Sequence, residues 1–422
     1  MVVCMSRESR RVVVSGLGVV SAIGCDTKTF WQNAQDGVCG IDFITSFDTT
    51  DFKVKIAAEV KDFDVSAYMD RSESRRTDAF VQYAVAAAQQ AVDDSAITGT
   101  VDSKRLGTYV GSGIGGMQTT LAEHTKLEKN GPRRVSPYFI PMIISNMAGG
   151  TIAIKHKAQG PNLPVVTACA TSSHAIGEAF RAVKHGYIDA AIAGGCEAST
   201  IPLAIAGFTN IQALSLSEDP KCASIPFDAR RDGFVMGEGA AILILEEYEH
   251  AIARGAQIYG EIVGYGNTCD AYHTTAPSPD GECAADAITL ALEEANLSLR
   301  ELAHKELYIN AHGTSTPLND KTETASIKRA LGGAIAQRAY VSSTKSMTGH
   351  MLGAAGAIEA TASLLALRDG VVPPTVGYEV FDPECDLNIV ATRKKQVALD
   401  VALSTSLGFG GHNACLAFAK HA

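Results

Sequence analysis

The sequence lacks the marks of a secreted, metal-stapled or membrane-spanning protein. None of its ten cysteines stands in a CxxC pair or at a zinc-ligand spacing, which excludes the common structural zinc modules and predicts free thiols in a reducing compartment. The opening MVVCMSRESRRVVVSG is too charged, and its first apolar run too short, for a secretory signal. No stretch reaches the roughly 18 uninterrupted apolar residues of a membrane span, so no membrane insertion is expected and the location read is cytoplasmic. Charged residues are only 19% of the chain against 46% hydrophobic, which excludes a disordered polymer. The net charge of −10 gives no general attraction to nucleic acid or anionic lipid. An acidic partner would need a local basic patch.

At 422 residues, with 39 glycines, the chain is long enough for two packed units rich in tight turns. Short apolar runs alternate with helical patterns, the signature of an α/β fold. RRVVVSGLGVV from Arg10 and LGTYVGSGIGG from Leu106 read as strands entering glycine turns, and FVQYAVAAAQQAVDD from Phe80 reads as a helix. VVTACATSSHAIGEAFRAVKHG from Val165 reads as strand, tight turn and helix, with Ile176, Phe180 and Val183 on one face and Gly186 at its end. AAIAGG from Ala190 supplies the next strand. A weak repeat follows: IYGEIVGYG from Ile258 echoes the opening strand, and ELYINAHGTSTP from Glu306 echoes LGTYVGSGIGG. From Tyr340 the strand–turn–helix form returns, with Ile358, Ala362 and Leu365 on one face, Gly370 at the end and Pro373–Pro374 beyond. The plan is two similar halves, 1–258 and 259–422, packed as one body without a low-complexity linker.

Cys169 lies in TACATSS, where a strand is expected to turn sharply into a helix. That elbow exposes a nucleophile to helix N-terminal amides and predicts a lowered thiol pKa. On residue type alone a buried structural cysteine is the commoner reading, and the elbow brings the two to parity. His312 in NAHGTSTPLND and His350 in STKSMTGHMLGAAG both follow apolar strands among small residues. Each alone also fits a loop histidine satisfied by hydrogen bonds. No third ligand stands at zinc spacing, so no metal is expected. GFGGHN, Gly408 to Asn413, offers either a backbone N–H for an oxyanion or a simple tight turn. GSGIGG, Gly111 to Gly116, matches a dinucleotide fingerprint, but no strand closing on an acidic residue follows it. A thiol hydrolase would use one histidine and leave the second motif and the repeat unexplained. A dehydrogenase would rest on GSGIGG alone, and a non-catalytic scaffold would need neither motif.

Taken together, TACATSS, NAHGTSTP, STKSMTGH and LGFGGHN, in this order, resemble the signature segments of the elongating β-ketoacyl-[acyl-carrier-protein] synthases, most closely the synthase II type. The resemblance runs from VVVSGLGVVSAIG to GFGGHNACLAF. It implies a thiolase-like α/β fold of two related halves in a five-layered αβαβα arrangement, active as a homodimer. The implied reaction joins an acyl group on Cys169 to malonyl-carrier, with loss of CO2, in fatty-acid biosynthesis. Cys169 resembles the acylated nucleophile, His312 and His350 the catalytic pair, and Lys345 the lysine that supports them. Glu359, grouped with the substrate-binding set, matches a supporting acid of that network. Phe409 resembles the gate whose amide completes the oxyanion hole. Thr314 and Thr316 resemble contacts to the phosphopantetheine arm, and Ile114 and Phe208 the acyl-pocket lining. No cofactor is implied beyond the phosphopantetheine supplied by the acyl carrier protein. The Cys–His–His set differs from chain-initiating synthases, which carry an asparagine for the second histidine. It differs also from thiolases, which use a second cysteine, and from chain-length factors, which lack the nucleophile. One departure stands out: Gln212 occupies a position where the bacterial enzymes carry a basic residue that grips the carrier. Docking is therefore expected to lean on Arg71, Arg75, Arg76, Arg133 and Arg134.

Overall fold

A computed structural model describes residues 9–421. Residues 1–8, which open the segment read as lacking a secretory signal, lie outside the described residues. The sheet strands are β1 Val12–Ser21, β2 Leu106–Gly111, β3 Ala190–Glu197, β4 Gly239–Glu247, β5 Gly260–Cys269, β6 Leu307–Asn310, β7 Tyr340–Ser342, β8 Val401–Gly408 and β9 His412–Ala419. They hydrogen-bond in the order β2-β3-β4-β1-β5-β9-β8-β6-β7. Only three residue pairs, Val12–Ile262, Val13–Glu261 and Val14–Gly260, join β1 to β5. The sheet thus divides into two parts at a narrow seam.

The parts share a topology. In the second, the strands taken in chain order lie third-second-fourth-fifth-first, with β7, β6 and β8 parallel and β8, β9 and β5 antiparallel. The first has the same order and directions if Asn162, bridged in parallel to Thr108 of β2, stands for the third strand. The strand expected from Val165 is therefore reduced to a single bridge. Pairing with β2 stops at Leu163, whose N–H donates to the Thr108 carbonyl at 3.0 Å, and residues 165–167 form no strand.

The longest helices are α1 Ala79–Ser95, α2 Met117–Asn130, α3 Thr171–Lys184, α4 Glu282–Glu294, α5 Pro317–Leu331 and α6 Ala355–Asp369. α1 covers β1, β3 and β4, whereas α4 covers β5 and β9 with α5 packed on it. α3 and α6 touch strands of both parts and form the middle layer. α6 is consequently buried on every face from Ala355 to Leu367, so its apolar residues form no single stripe. The glycines of the echoing strands have one job in each half. A Cβ on Gly18 would lie 1.9 Å from the Ala87 carbonyl of α1, and one on Gly266 would lie 1.9 Å from the Ala287 carbonyl of α4. In the middle layer a Cβ on Gly356 would meet Ser173 Oγ at 2.0 Å, and Ser172 Oγ accepts the Ala357 N–H at 2.9 Å. The two central helices therefore start against each other, and the segments entering them converge.

Candidate active site

Cys169 lies in a 3-10 turn, Ala168–Ala170, that feeds directly into α3. The turn requires Ala168 at φ +50°, a left-handed conformation costing about 1 kcal/mol for a residue with a Cβ. Thr167 braces it: its carbonyl accepts the Ala170 N–H at 3.1 Å and its N–H donates to Thr171 Oγ1 at 2.9 Å. The hairpin turn between β8 and β9 leans on this elbow. A Cβ on Gly408 would stand 2.8 Å from the Thr167 carbonyl and 3.3 Å from the Cys169 nitrogen. The backbone amide of the next residue, Phe409, is near enough to the Cys169 sulfur to favour its thiolate.

The lowered thiol pKa expected from the helix terminus is not what the surroundings produce. Burial pushes the Cys169 thiol up to about 12, against the lowering effects of the Lys345 charge and the Phe409 N–H. The sulfur packs in an apolar cluster with Ile114, Phe208, Phe234 and Leu352, where a thiolate loses more hydration than a partial helix charge returns. At neutral pH Cys169 is therefore a thiol.

His312 follows β6 by two residues, and α5 locks its loop from behind. The His312 and Gly313 N–H groups donate to the two Glu323 oxygens at 2.7 and 2.8 Å, and Thr405 Oγ1 of β8 donates to the same carboxylate at 2.7 Å. Lys345 Nζ donates to the His312 carbonyl at 2.6 Å, lies 3.4 Å from its Nδ1 and pairs with Glu359. An ammonium only donates, so Nδ1 accepts and the His312 proton resides on Nε2. His350 is held through its backbone: its N–H donates to Val235 at 2.7 Å and its carbonyl accepts from Gly237 at 2.9 Å. Among the described residues neither of its ring nitrogens has a partner. The two imidazoles stand 5.3 Å apart at 88°. Burial first, and the Lys345 charge second, hold both pKa values well below the usual histidine range. Both rings are neutral.

These residues share a cavity of about 380 Å³ lined by Cys169, His312, His350 and Phe409, with Thr314, Thr316 and Phe208. The Thr314 and Thr316 hydroxyls are 2.9 Å apart, and the Phe208 and Phe409 rings 6.4 Å. A larger cavity of about 500 Å³ contains none of the predicted residues and has Glu59 and Glu238 in its wall. Chemistry rather than size identifies the smaller one as the candidate site. Glu359, grouped with substrate-binding residues, does not line it; fully buried, it serves Lys345 instead. Gln212 and Asp232 also line the cavity. Arg71, Arg75, Arg76, Arg133 and Arg134 are exposed and line no part of it, and the Arg76 guanidinium stacks 4.7 Å over Tyr138.

The glycine run after β2 holds an anion, but one of the protein's own. Glu197 accepts from the N–H groups of Gly113 and Gly353 at 3.0 and 3.1 Å and from the Ser112 hydroxyl at 3.1 Å. A Cβ on Gly113 would lie 2.8 Å from that carboxylate. Sequence reading missed Glu197, Glu323 and His174 as supports of the site. Glu323 stands 11 residues after His312, a spacing that acquires meaning only once β6 and α5 are folded together.

The sequence matches the family description "Beta-ketoacyl synthase, N-terminal domain" over residues 9–251 and "Beta-ketoacyl synthase, C-terminal domain" over residues 259–379. It is 52% identical over 416 residues to a 3-oxoacyl-[acyl-carrier-protein] synthase 2 of Synechocystis sp., covering 98% of this chain and 99% of that protein. A 3-oxoacyl-[acyl-carrier-protein] synthase 2 of Staphylococcus aureus is 50% identical with the same coverage. Among solved structures, a beta-ketoacyl synthase from Burkholderia phymatum superposes with a TM-score of 0.90 at 33% identity, covering 98% of this chain and all of the other. A type II polyketide ketosynthase solved in complex with its acyl-carrier protein, bound to a hexaketide, gives the same TM-score, identity and coverage.

Proposed function

The chain belongs to the β-ketoacyl synthase family, and we infer that it is a 3-oxoacyl-[acyl-carrier-protein] synthase that lengthens acyl chains by two carbons in fatty-acid biosynthesis. One observation carries the assignment of roles: a cysteine at a helix-entry elbow shares a cavity with two neutral histidines.

In our reading the Cys169 thiol attacks an acyl-carrier thioester, and the Cys169 and Phe409 amides stabilise the oxyanion. The thiol proton leaves with the phosphopantetheine sulfur, and the acyl group stays on Cys169. Malonyl-carrier then enters and loses CO2. The electron pair of the broken C–C bond moves onto the thioester oxygen, where His312 and His350 donate N–H bonds to the enolate. Neutral imidazoles suit this step, since decarboxylation makes the carbanion without a strong base. The carbanion attacks the acyl–Cys169 carbonyl, the sulfur departs and regains a proton, and 3-oxoacyl-carrier results. The only prosthetic group this scheme uses is the carrier's own phosphopantetheine.

Around that core we assign Thr314 and Thr316 to the phosphopantetheine arm and Ile114 and Phe208 to the acyl chain. Lys345 and Glu359 support His312. Arg71, Arg75, Arg76, Arg133 and Arg134 are assigned to docking of an acidic carrier. We treat 1–258 and 259–422 as the two halves of the chain, the first bearing the nucleophile and the second the histidines. A homodimer is favoured by the exposed apolar residues Leu163 and Val166, which follow the sheet-edge bridge at Asn162. No described helix is long and apolar enough to cross a membrane, and the nine described cysteines are free; we assign the protein to the cytoplasm. Mass spectrometry of products from purified acyl- and malonyl-carrier, across a range of chain lengths, tests the reading. Formation of 3-oxoacyl-carrier supports it, and thioester hydrolysis without C–C bond formation overturns it.

A further inference from the structure

The two amides assigned to the oxyanion hole come from distant parts of the chain, and one side chain touches the supports of both. His174 sits in the first turn of α3, five residues beyond Cys169, and is 7% exposed. Its Nδ1 lies 2.7 Å from Thr167 Oγ1 and its Nε2 lies 3.4 Å from the Asn413 carbonyl. A carbonyl only accepts, so Nε2 carries the proton and Nδ1 receives the Thr167 hydroxyl hydrogen. Burial lowers its pKa to about 4, which keeps this arrangement intact at neutral pH. Thr167 is the near post of the Cys169 elbow. Asn413 is the far post of the Phe409 turn: it pairs with Leu407 across the β8–β9 hairpin, and its side chain donates to Asp270 at 2.7 Å.

We propose that His174 is a positioning residue that ties the Cys169 elbow, through Thr167, to the Phe409 turn, through Asn413, and so sets the convergence of the two amides during acyl transfer. The proposal rests on the condensing-enzyme reading above. His174 does not line the cavity, so it acts only through the groups it holds. Acyl transfer uses the two amides, whereas malonyl decarboxylation uses the two histidines of the second half. Loss of the clamp should therefore separate the half-reactions.

The test compares Thr167→Val, Thr167→Ser and His174→Asn in the full chain. Acylation of Cys169 from acyl-carrier is followed by intact-protein mass, and malonyl-carrier decarboxylation by CO2 release. Thr167→Val removes the hydroxyl at nearly constant shape, and Thr167→Ser restores it. An oxyanion donor is worth about 10²–10³ in rate, so displacing one should slow acylation about tenfold or more in Thr167→Val and His174→Asn. Decarboxylation in the same preparations should change far less, and Thr167→Ser should acylate like wild type. Parallel loss of both half-reactions, or acylation unchanged in Thr167→Val, overturns the proposal. If His174→Asn does not fold, the Thr167 pair decides alone. A wild-type chain that neither acylates nor decarboxylates would instead overturn the reading on which the proposal rests.

Discussion

Lys345 donates to the carbonyl oxygen of His312 at 2.6 Å and stands 3.4 Å from the Nδ1 of the same residue. A single ammonium thus anchors the backbone of His312 and sets its tautomer, and its charge adds to burial in keeping the ring neutral. Glu359 balances that charge in a site closed to water.

Removing one member of this pair leaves the other charge buried. Lys345→Met should destabilise the fold by about 3–5 kcal/mol, whereas Lys345→Met with Glu359→Gln should recover much of that loss. Decarboxylation should stay impaired in the double variant, because the His312 tautomer is no longer fixed. Denaturant unfolding and CO2 release separate the two effects; recovery of both would show that Lys345 serves stability alone.

Cys169→Ala should abolish condensation while retaining malonyl decarboxylation, since the imidazole donors survive. His312→Ala or His350→Ala should slow decarboxylation by about 10²–10³, equivalent to roughly 3–4 kcal/mol. Either histidine variant condensing at the wild-type rate would remove the assigned role.

Two pH effects follow from burial. With the Cys169 thiol pushed up to about 12, iodoacetamide should label it slowly at pH 7 and steadily faster through pH 10, with no plateau near the usual thiol range. Lys345→Met should slow labelling further, because the Lys345 charge favours the thiolate.

On the acid side, His174, His312 and His350 resist protonation when folded but accept protons freely once unfolded. At these three groups the unfolded chain therefore binds more protons below about pH 6.5, and the stability they contribute is lost as pH falls from there. Glu238 and Glu359, which burial pushes up to about 7, favour the fold over the same window because the folded chain takes up their protons first. The check is therefore an NMR titration of the individual imidazoles, which should stay neutral from about pH 7 to 5.5. Protonation of His174, His312 or His350 in the folded chain within that range would contradict neutral buried imidazoles.

Gly18→Ala and Gly266→Ala should each destabilise the protein by at least about 1–3 kcal/mol, because the new methyl meets a helix carbonyl rather than a movable side chain. Gly333→Ala provides the contrast, since a Cβ there meets nothing within 4 Å and its backbone is not left-handed. Thermal denaturation of the three variants makes the comparison.

Much of this molecule was readable before folding. The strand–glycine–helix units from Arg10 and Ile258 announced a repeated plan, because glycine spacing and apolar periodicity are local properties. TACATSS, NAHGTSTP, STKSMTGH and LGFGGHN likewise carried their chemistry in residue type and order. The strand predicted from Val165 did not form: pairing with β2 ends at Asn162 and Leu163, a long-range contact that local apolar character does not report. The apolar stripe read on α6 failed because both faces of a middle-layer helix are covered.

The sequence by itself determined which groups are available: one cysteine at a sharp helix entry, two histidines behind apolar strands and a glycine turn near the C-terminus. Only the tertiary structure decided their protonation and their partners. Desolvation and the placement of Lys345 depend on segments hundreds of residues apart meeting in the middle layer. Short-range sequence rules predicted a lowered thiol pKa at Cys169; the enclosing cluster reversed its direction, since charge in an apolar enclosure answers to every wall of that enclosure at once.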